Sequence, residues 1–436
     1  MTKPVVTLVG RPNVGKSTLF NRLIEERLAI VEDVPGTTRD RMYADARWGG
    51  LTLTLVDTGG LLPDSNGDLM ASVRDQVEIA MAEAEVIVFL VDAKEGLTAT
   101  DLDIAALLRR CNKPVILAAN KADNESRRQA AVEFYELGLG DPYPISALHG
   151  TGTGDLLDAI LDVVPPEQPE VETEGVRIAI VGRPNVGKSL LLNTILGEDR
   201  MIVSDKPGTT RDAVDSLVEW DGQPVTLIDT AGIRRRGRIE PGVERYSVIR
   251  ALRAIQRSDV ALLLIDAVDG ITAQDAHIAG YVVEEARGVV IVVNKWDLIE
   301  KDSHTMDAYT GEIRQALKFI SYAPLVFVSA LTGQRVGRAL DVALRVQEAR
   351  SHRAPTGQLN RILRDAALSH SPPSKRGKRL KIYYATQART APPSFVFFVN
   401  DPQLVHFSYR RYLENKLREA FGFEGSPLRL SFRNRG

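Results

Sequence analysis

One octapeptide occurs twice in this chain of 436 residues. Gly10-Arg11-Pro12-Asn13-Val14-Gly15-Lys16-Ser17 returns unchanged as Gly182-Arg183-Pro184-Asn185-Val186-Gly187-Lys188-Ser189. Both fit G-x-x-x-x-G-K-[ST], a strand–loop–helix turn whose backbone N–H groups wrap nucleotide phosphates. Two perfect copies imply two nucleotide sites in one polypeptide, each on its own α/β unit.

The repeat runs far beyond the octapeptide. Pro35-Gly36-Thr37-Thr38-Arg39-Asp40 returns as Pro207-Gly208-Thr209-Thr210-Arg211-Asp212, and Asp57-Thr58-Gly59-Gly60 as Asp229-Thr230-Ala231-Gly232, all at an offset of 172. Val91-Asp92-Ala93 matches Ile265-Asp266-Ala267, and Asn120-Lys121-Ala122-Asp123 matches Asn294-Lys295-Trp296-Asp297, both at 174. Ser146-Ala147-Leu148 matches Ser329-Ala330-Leu331 at 183. The pattern is a tandem duplication of a whole domain.

Apolar runs at Val5–Val9, Leu51–Val56, Val86–Val91 and Val115–Ala119 predict strands. Ile178–Val181, Val225–Ile228, Val260–Ile265 and Val289–Val293 are their counterparts. Runs apolar throughout suit a mostly parallel sheet covered by helices on both faces. The helix after each loop is expected to start at the Lys-Ser pair, which puts its positive end at the phosphates. The expected domains are 1–164, an acidic Pro-rich linker at 165–175, 176–350, and a small α+β domain at 351–436. In the last, Gln358–Leu368 and Tyr409–Phe421 read as helices, Lys381–Thr386, Ser394–Val399 and Leu428–Phe432 as strands, and Ser374–Lys381 as a basic loop.

A single cysteine, Cys111, excludes an internal disulfide framework. The apolar run at the N-terminus is too short for a signal peptide, and no run is long enough to span a membrane. A cytoplasmic protein is expected. Its net charge of −2 hides an asymmetry. Residues 351–436 hold 16 Lys and Arg against 5 Asp and Glu, a net of +11, and the rest of the chain carries −13. A basic tail on an acidic body suggests a polyanionic partner.

The later motifs specify the ligand. Lys16 and Lys188 are expected to reach the β and γ phosphates, and Ser17 and Ser189 to offer a hydroxyl to Mg2+. Asp57 and Asp229 offer carboxylates to the same ion, while the amides of Gly60 and Gly232 sense the γ phosphate. Asp123 and Asp297 can each accept two hydrogen bonds from guanine N1–H and the 2-amino group, donors that adenine lacks. The reading is therefore a GTPase. Ser146-Ala147 and Ser329-Ala330 supply a backbone N–H for guanine O6.

These motif sets resemble the Der (EngA) family, bacterial GTPases with two consecutive G domains, and the resemblance covers essentially the whole chain. It implies two P-loop GTPase domains followed by a KH-like domain. It also implies GTP hydrolysis in assembly of the large (50S) ribosomal subunit, with GTP, GDP and Mg2+ as ligands. The partners implied are that subunit and its rRNA, with no membrane and no DNA, and the free protein is expected to be monomeric. The family's switch threonine falls on Thr38 and Thr210, completing the Mg2+ shell; Thr37 and Thr209 are the physical alternatives. Leu61 and Ile233 stand where many GTPases carry a water-orienting glutamine. GTPases with an apolar residue there include users of K+, and Asn13 and Asn185 sit where such enzymes ligate it. Four arginines in Ile233-Arg234-Arg235-Arg236-Gly237-Arg238 suit RNA phosphates, the neighbouring domain or a solvated loop.

The tail lacks the usual KH clamp. Its only comparable string, Gly422-Phe423-Glu424-Gly425, holds a glutamate and reads as a helix stop. RNA contact is therefore expected at Lys375, Arg376, Lys378, Arg379 and Lys381, with Arg410, Arg411, Lys416 and Arg418 adding charge.

Overall fold

The computed structural model describes residues 3–25, 43–57, 77–78, 80–81, 84–164, 175–197, 201–203, 215–230, 247–370, 372, 374–375 and 378–434. The first sheet comprises β1 (Val5–Val9), β2 (Tyr43–Trp48), β3 (Leu51–Asp57), β4 (Val86–Asp92), β5 (Val115–Asn120) and β6 (Tyr143–Pro144). Its order is β2-β3-β1-β4-β5-β6, and every pairing except β2–β3 is parallel.

The second sheet repeats this plan with β7 (Val176–Val181), β8 (Met201–Val203), β9 (Ser216–Trp220), β10 (Gln223–Ile228), β11 (Val260–Asp266), β12 (Gly288–Asn294) and β13 (Leu325–Phe327). Its order is β13-β12-β11-β7-β10-β9-β8, antiparallel only at the β8–β9–β10 edge. Of that edge, β10 was expected from the apolar run Val225–Ile228, whereas β8 and β9 were not. Ser216-Leu-Val-Glu-Trp220 alternates in burial rather than being apolar throughout.

Alternate residues of the central strands feed opposite cores. In β4, Val86, Val88 and Leu90 pack with Leu8, Leu19 and Leu53, while Ile87, Phe89 and Val91 pack with Ile104 and Phe134. In β11, Val260, Leu262 and Leu264 face one core and Ala261, Leu263 and Ile265 the other. Buried on both sides, β4 and β11 are apolar up to their last residue. The carboxyl ends are the exception: β3, β4, β5, β11 and β12 end on Asp57, Asp92, Asn120, Asp266 and Asn294.

The helices used below are α1 (Lys16–Glu25), α2 (Ala99–Leu108), α3 (Lys188–Leu196), α4 (Ala273–Glu284), α5 (Val336–Ser351), α6 (Thr356–Ser369) and α7 (Phe407–Phe421). Among the described residues, no helix is long and apolar enough to cross a membrane.

After α6 come a hairpin, β14 (Ser374–Lys375) and β15 (Lys378–Arg379), and a sheet of β16 (Ile382–Arg389), β17 (Ser394–Val399) and β18 (Arg429–Asn434). The hairpin corrects the expectation of a plain loop at 374–381. Antiparallel β16–β17 and parallel β17–β18 bury Ala385, Phe395, Phe397 and Leu430 against Leu359, Leu363, Leu413 and Leu417.

The chain divides into two compact units, Met1–Val171 and Glu172–Gly436. The second holds both the second large sheet and the C-terminal fold, joined by a tight seam. Val289 N–H donates to Gly425 O at 2.7 Å, and Gly425 N–H to Tyr322 O at 3.0 Å. Arg418 lies 3.8 Å from the Tyr322 ring centroid and donates to Phe423 O and Ser426 O, both at 2.9 Å. Apart from Gly175, the expected linker lies outside the described residues.

Candidate active sites

Each nucleotide loop leaves the carboxyl end of a central strand, β1 or β7, and turns into α1 or α3, which begin at Lys16 and Lys188. Val14 and Val186, both 0% exposed, root the loops in the cores below. Asn13 and Asn185 take φ of 65° and 64°, and their side chains are exposed. Gly15 and Gly187 take φ of +99° and +97°, and a Cβ on either would lie 2.3 Å from the Nδ2 of Asn120 or Asn294. Only glycine combines that backbone with that approach.

The lysines rest on their own loops. Lys16 Nζ donates to Gly10 O at 2.7 Å and Arg11 O at 2.9 Å; Lys188 Nζ donates to Gly182 O at 2.7 Å and Arg183 O at 2.6 Å. Burial pushes the Lys16 ammonium down to about 8, against the pull of Asp57. Such a group gains from an anionic ligand, which supplies the charge its surroundings lack.

Ser17 Oγ donates to Asp57 Oδ2 at 2.6 Å, and Asp57 is 1% exposed. A hydroxyl and a carboxylate converge beside the loop, a hard-oxygen pair of the kind Mg2+ selects. The second copy differs. Asp229 lies one residue beyond β10 with φ of 58°, and its N–H donates to Asp215 Oδ1 at 2.9 Å. Asp215 also pairs with Arg257. An offset of 172 puts Tyr43 at the equivalent position, so copy one lacks that carboxylate.

The base motifs are pinned to the loops. Asn120 Nδ2 donates to Val14 O at 2.8 Å, and its Oδ1 accepts from Ala147 N at 2.9 Å; Asn294 does the same with Val186 O and Ala330 N, at the same distances. Lys121 Nζ bridges Asn13 O at 2.7 Å and Asp92 Oδ2 at 2.6 Å, and Lys295 Nζ meets Asp266 Oδ2 at 2.5 Å. Asp123 Oδ1 accepts from Ser146 Oγ at 2.7 Å and Oδ2 from Arg127 at 3.1 Å. Asp297 Oδ1, by contrast, is buried with no hydrogen-bond partner among the described residues. Ser329 Oγ accepts from Thr332 N at 3.1 Å. Ala122 and Trp296 are buried, and Trp296 packs edge-on to Tyr309.

Thr230 is buried and shares a 2.8 Å contact with Ser216. Thr37, Thr38, Thr58, Gly59, Gly60, Leu61, Thr209, Thr210, Ala231, Gly232, Ile233 and the arginines 234–238 lie outside the described residues. Sequence reasoning gave no role to Asp92 and Asp266, which hold the motif lysines. Their recurrence at the 174 offset was the available signal.

In the tail, Lys378, Arg379 and Lys381 are exposed. Lys375 is described only as part of β14, and Arg376 lies outside the described residues. Two other basic residues are not free surface charge. Arg418 is spent on the seam and on Glu414 at 2.8 Å, and Lys416 pairs with Glu419 at 2.6 Å. Gly422 stops α7 with φ of 81°. The rest of that string docks on the G-like fold, with Phe423 1% exposed and Gly425 against Val346.

A duplicated, mostly parallel sheet carrying G-x-x-x-x-G-K-S, Asp-x-x-Gly and Asn-Lys-x-Asp motifs in each copy defines a tandem P-loop GTPase. A family described as a 50S ribosome-binding GTPase matches residues 5–121 and 177–295, and the C-terminal KH-domain-like family of EngA bacterial GTPases matches 353–433. GTPase Der of Moorella thermoacetica is 57% identical over 99% of both chains, and that of Chloroflexus aurantiacus is 58% identical over 100% of this chain and 99% of its own. The chain belongs to the GTPase Der family and is a GTP hydrolase. Among solved structures, Era in complex with MgGDPNP and a 16S rRNA fragment is 25% identical, covering 59% of this chain and 88% of its own, with a TM-score of 0.31.

Proposed function

We propose that the chain binds and hydrolyses GTP at both loops and acts in assembly of the 50S ribosomal subunit in the cytoplasm, with nucleotide-dependent domain rearrangement controlling its binding. The duplicated bond from Asn120 to Val14 and from Asn294 to Val186 carries the two-site reading, because it joins base selection to phosphate binding in each copy. Lys16 and Lys188 exchange their loop carbonyls for phosphate oxygens. Asp123 and Asp297 read the guanine edge, and the Asp297 Oδ1, buried without a partner among the described residues, suits a ligand donor.

Ser17 with Asp57, and Ser189 with Asp229, are the oxygen donors that would hold Mg2+, joined by Thr38 and Thr210. The ion supplies charge neutralisation at the β and γ phosphates when bound. The amides of Gly60 and Gly232 answer to the γ phosphate. Asn13 and Asn185, exposed on left-handed residues, offer carboxamide oxygens of the kind K+ accepts. Leu61 and Ile233 cannot orient water, so K+ stimulation is part of this reading. Lys375, Arg376, Lys378, Arg379 and Lys381 meet rRNA phosphates.

The test is phosphate release by the purified, monomeric chain from GTP and ATP with Mg2+, in K+ and in Na+, alongside co-sedimentation with 50S particles. GTP-selective release favoured by K+, with particle binding that differs between GDP and a non-hydrolysable GTP analogue, is expected. Equal use of ATP, or binding indifferent to nucleotide, would overturn it.

A further inference from the structure

Both loops carry an arginine at their second position that the chemistry above leaves unused. Arg11 sends Nη1 to Glu95 at 2.5 Å and turns Nε towards Oδ1 of Asp101, 3.3 Å away. Arg183 sends Nη2 to Asp269 at 2.8 Å and turns Nε towards Oδ2 of Asp275 at 3.5 Å. The arginine side chains are 14% and 17% exposed, and both aspartates 0%.

Each aspartate already has one task. Asp101 caps α2, its Oδ2 accepting from Thr98 N at 3.2 Å and Thr98 Oγ1 at 2.7 Å. Asp275 caps α4 in the same way, with Thr272 N at 3.0 Å and Oγ1 at 2.8 Å. That cap uses one oxygen. The other, Oδ1, is buried without a hydrogen bond among the described residues in both copies, as is the Nε of both arginines. The contact is charge against charge rather than an aligned hydrogen bond. A buried carboxylate is costly unless a cation faces it, and a cap alone does not require one. Burial raises the Asp275 pKa in spite of Arg183 and Lys188.

The arginine backbone has its own task. The carbonyls of Arg11 and Arg183 are among the acceptors that hold Lys16 and Lys188. Fixing the side chain fixes the peptide that aims the lysine. We propose that Arg11 and Arg183 are positioning residues of the two nucleotide sites, anchored by the buried capping carboxylates of Asp101 and Asp275. The copies differ in detail, with Arg11 facing the non-capping oxygen of its aspartate and Arg183 the capping one. The pairing of loop arginine with buried capping carboxylate nonetheless recurs in two copies that differ at the Asp-x-x-Gly aspartate, which argues that it serves the loop they share. This rests on reading residues 10–17 and 182–189 as nucleotide loops.

The experiment uses the full chain with Lys188→Ala, so that only the first site reports. Binding of a fluorescent GDP and steady-state GTP hydrolysis are measured for Asp101→Asn, Arg11→Gln, the double variant and Thr98→Ala. Asp101→Asn keeps a capping oxygen and removes the charge. It and Arg11→Gln are expected to raise the GDP Kd and the GTP KM about five- to tenfold, with kcat within about twofold. The double variant should be no worse than the poorer single, because the two act as one unit. Thr98→Ala weakens the cap and lowers Tm, but should leave Kd unchanged. Three results overturn the proposal: an unchanged Kd in Asp101→Asn, multiplying effects in the double variant, or a Kd raised as much by Thr98→Ala. If the Lys188→Ala parent itself fails to bind GDP, the nucleotide-site reading fails first and this inference with it.

Discussion

Asn120 donates from its carboxamide to the carbonyl of Val14 at 2.8 Å, across 106 residues of chain. Because the same side chain accepts from Ala147 N–H, three separate motifs meet on one buried amide. Removing it in Asn120→Ala leaves a carbonyl and an N–H unpaired, at roughly 1–3 kcal/mol for each buried group. Nucleotide affinity at the first site should fall at least about tenfold, while the second site is untouched. Titration with GDP should then show one tight site instead of two; an unchanged stoichiometry would show that the pinning is dispensable.

Asp297 differs from Asp123 in having a buried oxygen with no hydrogen-bond partner among the described residues. An asparagine there would present an N–H2 donor where the aspartate presents acceptors only. It would face the donor edge of guanine badly and the 2-oxo group of xanthine well. Asp297→Asn should lose GTP affinity by about tenfold or more and gain xanthosine triphosphate. Asp123→Asn should do the same less cleanly, because Ser146 and Arg127 already hold that carboxylate. Competition between the two nucleotides in single-site backgrounds decides this.

Lys16 gives the first site a pH signature. Its pKa falls from 10.5 to about 8 in the folded chain, with burial the main cause. The folded state therefore disfavours the charged form, a penalty that is full below pH 8. The penalty lifts as pH rises from 8 towards 10.5, so the empty fold gains stability over that window. Nucleotide binding has the opposite sign, because phosphates restore the ammonium and binding takes up a proton. Affinity should therefore drop above about pH 8, by up to about tenfold per unit. Calorimetry in two buffers of different ionisation enthalpy, kept below the pH at which guanine N1 ionises, should report a fractional proton uptake in a Lys188→Ala background. Zero uptake near pH 8.5 would mean that Lys16 stays charged in the empty loop.

Much of this was legible from spacing. Uniformly apolar strands announce a sheet covered on both faces, and the recurrence of Asn120 and Asn294 in order after the loops announces the base site. The edge strands were less legible, because a strand such as β9 buries only alternate residues, and turn and strand compete for such a sequence. Arg418 was unreadable for another reason. Its charge looks like tail chemistry until packing places Tyr322, nearly a hundred residues earlier, beneath it. Asp101 and Asp275 carry no signal of their ion pairs in the sequence, since the arginine facing each is about 90 residues away.

The Gly422–Gly425 string shows how such distant packing can be tested. Gly425 has φ of +68°, and a Cβ there would lie 2.4 Å from Val346 Cγ2 and 3.0 Å from Val289 O. Gly270, in the same unit, has φ of +69° with nothing within 4 Å. Gly270→Ala therefore measures the cost of the backbone conformation alone, about 1 kcal/mol. Gly425→Ala adds overpacking at the seam, about 1–3 kcal/mol more. The extra cost should fall where the C-terminal fold meets the sheet, on the hydrogen bond from Val289 to Gly425. Hydrogen exchange at the Val289 amide should accelerate in Gly425→Ala and not in Gly270→Ala, and urea unfolding should rank the two variants in the same order. Equal exchange in both would mean that the two folds do not share this contact in solution, and that Arg418 alone does not hold them together.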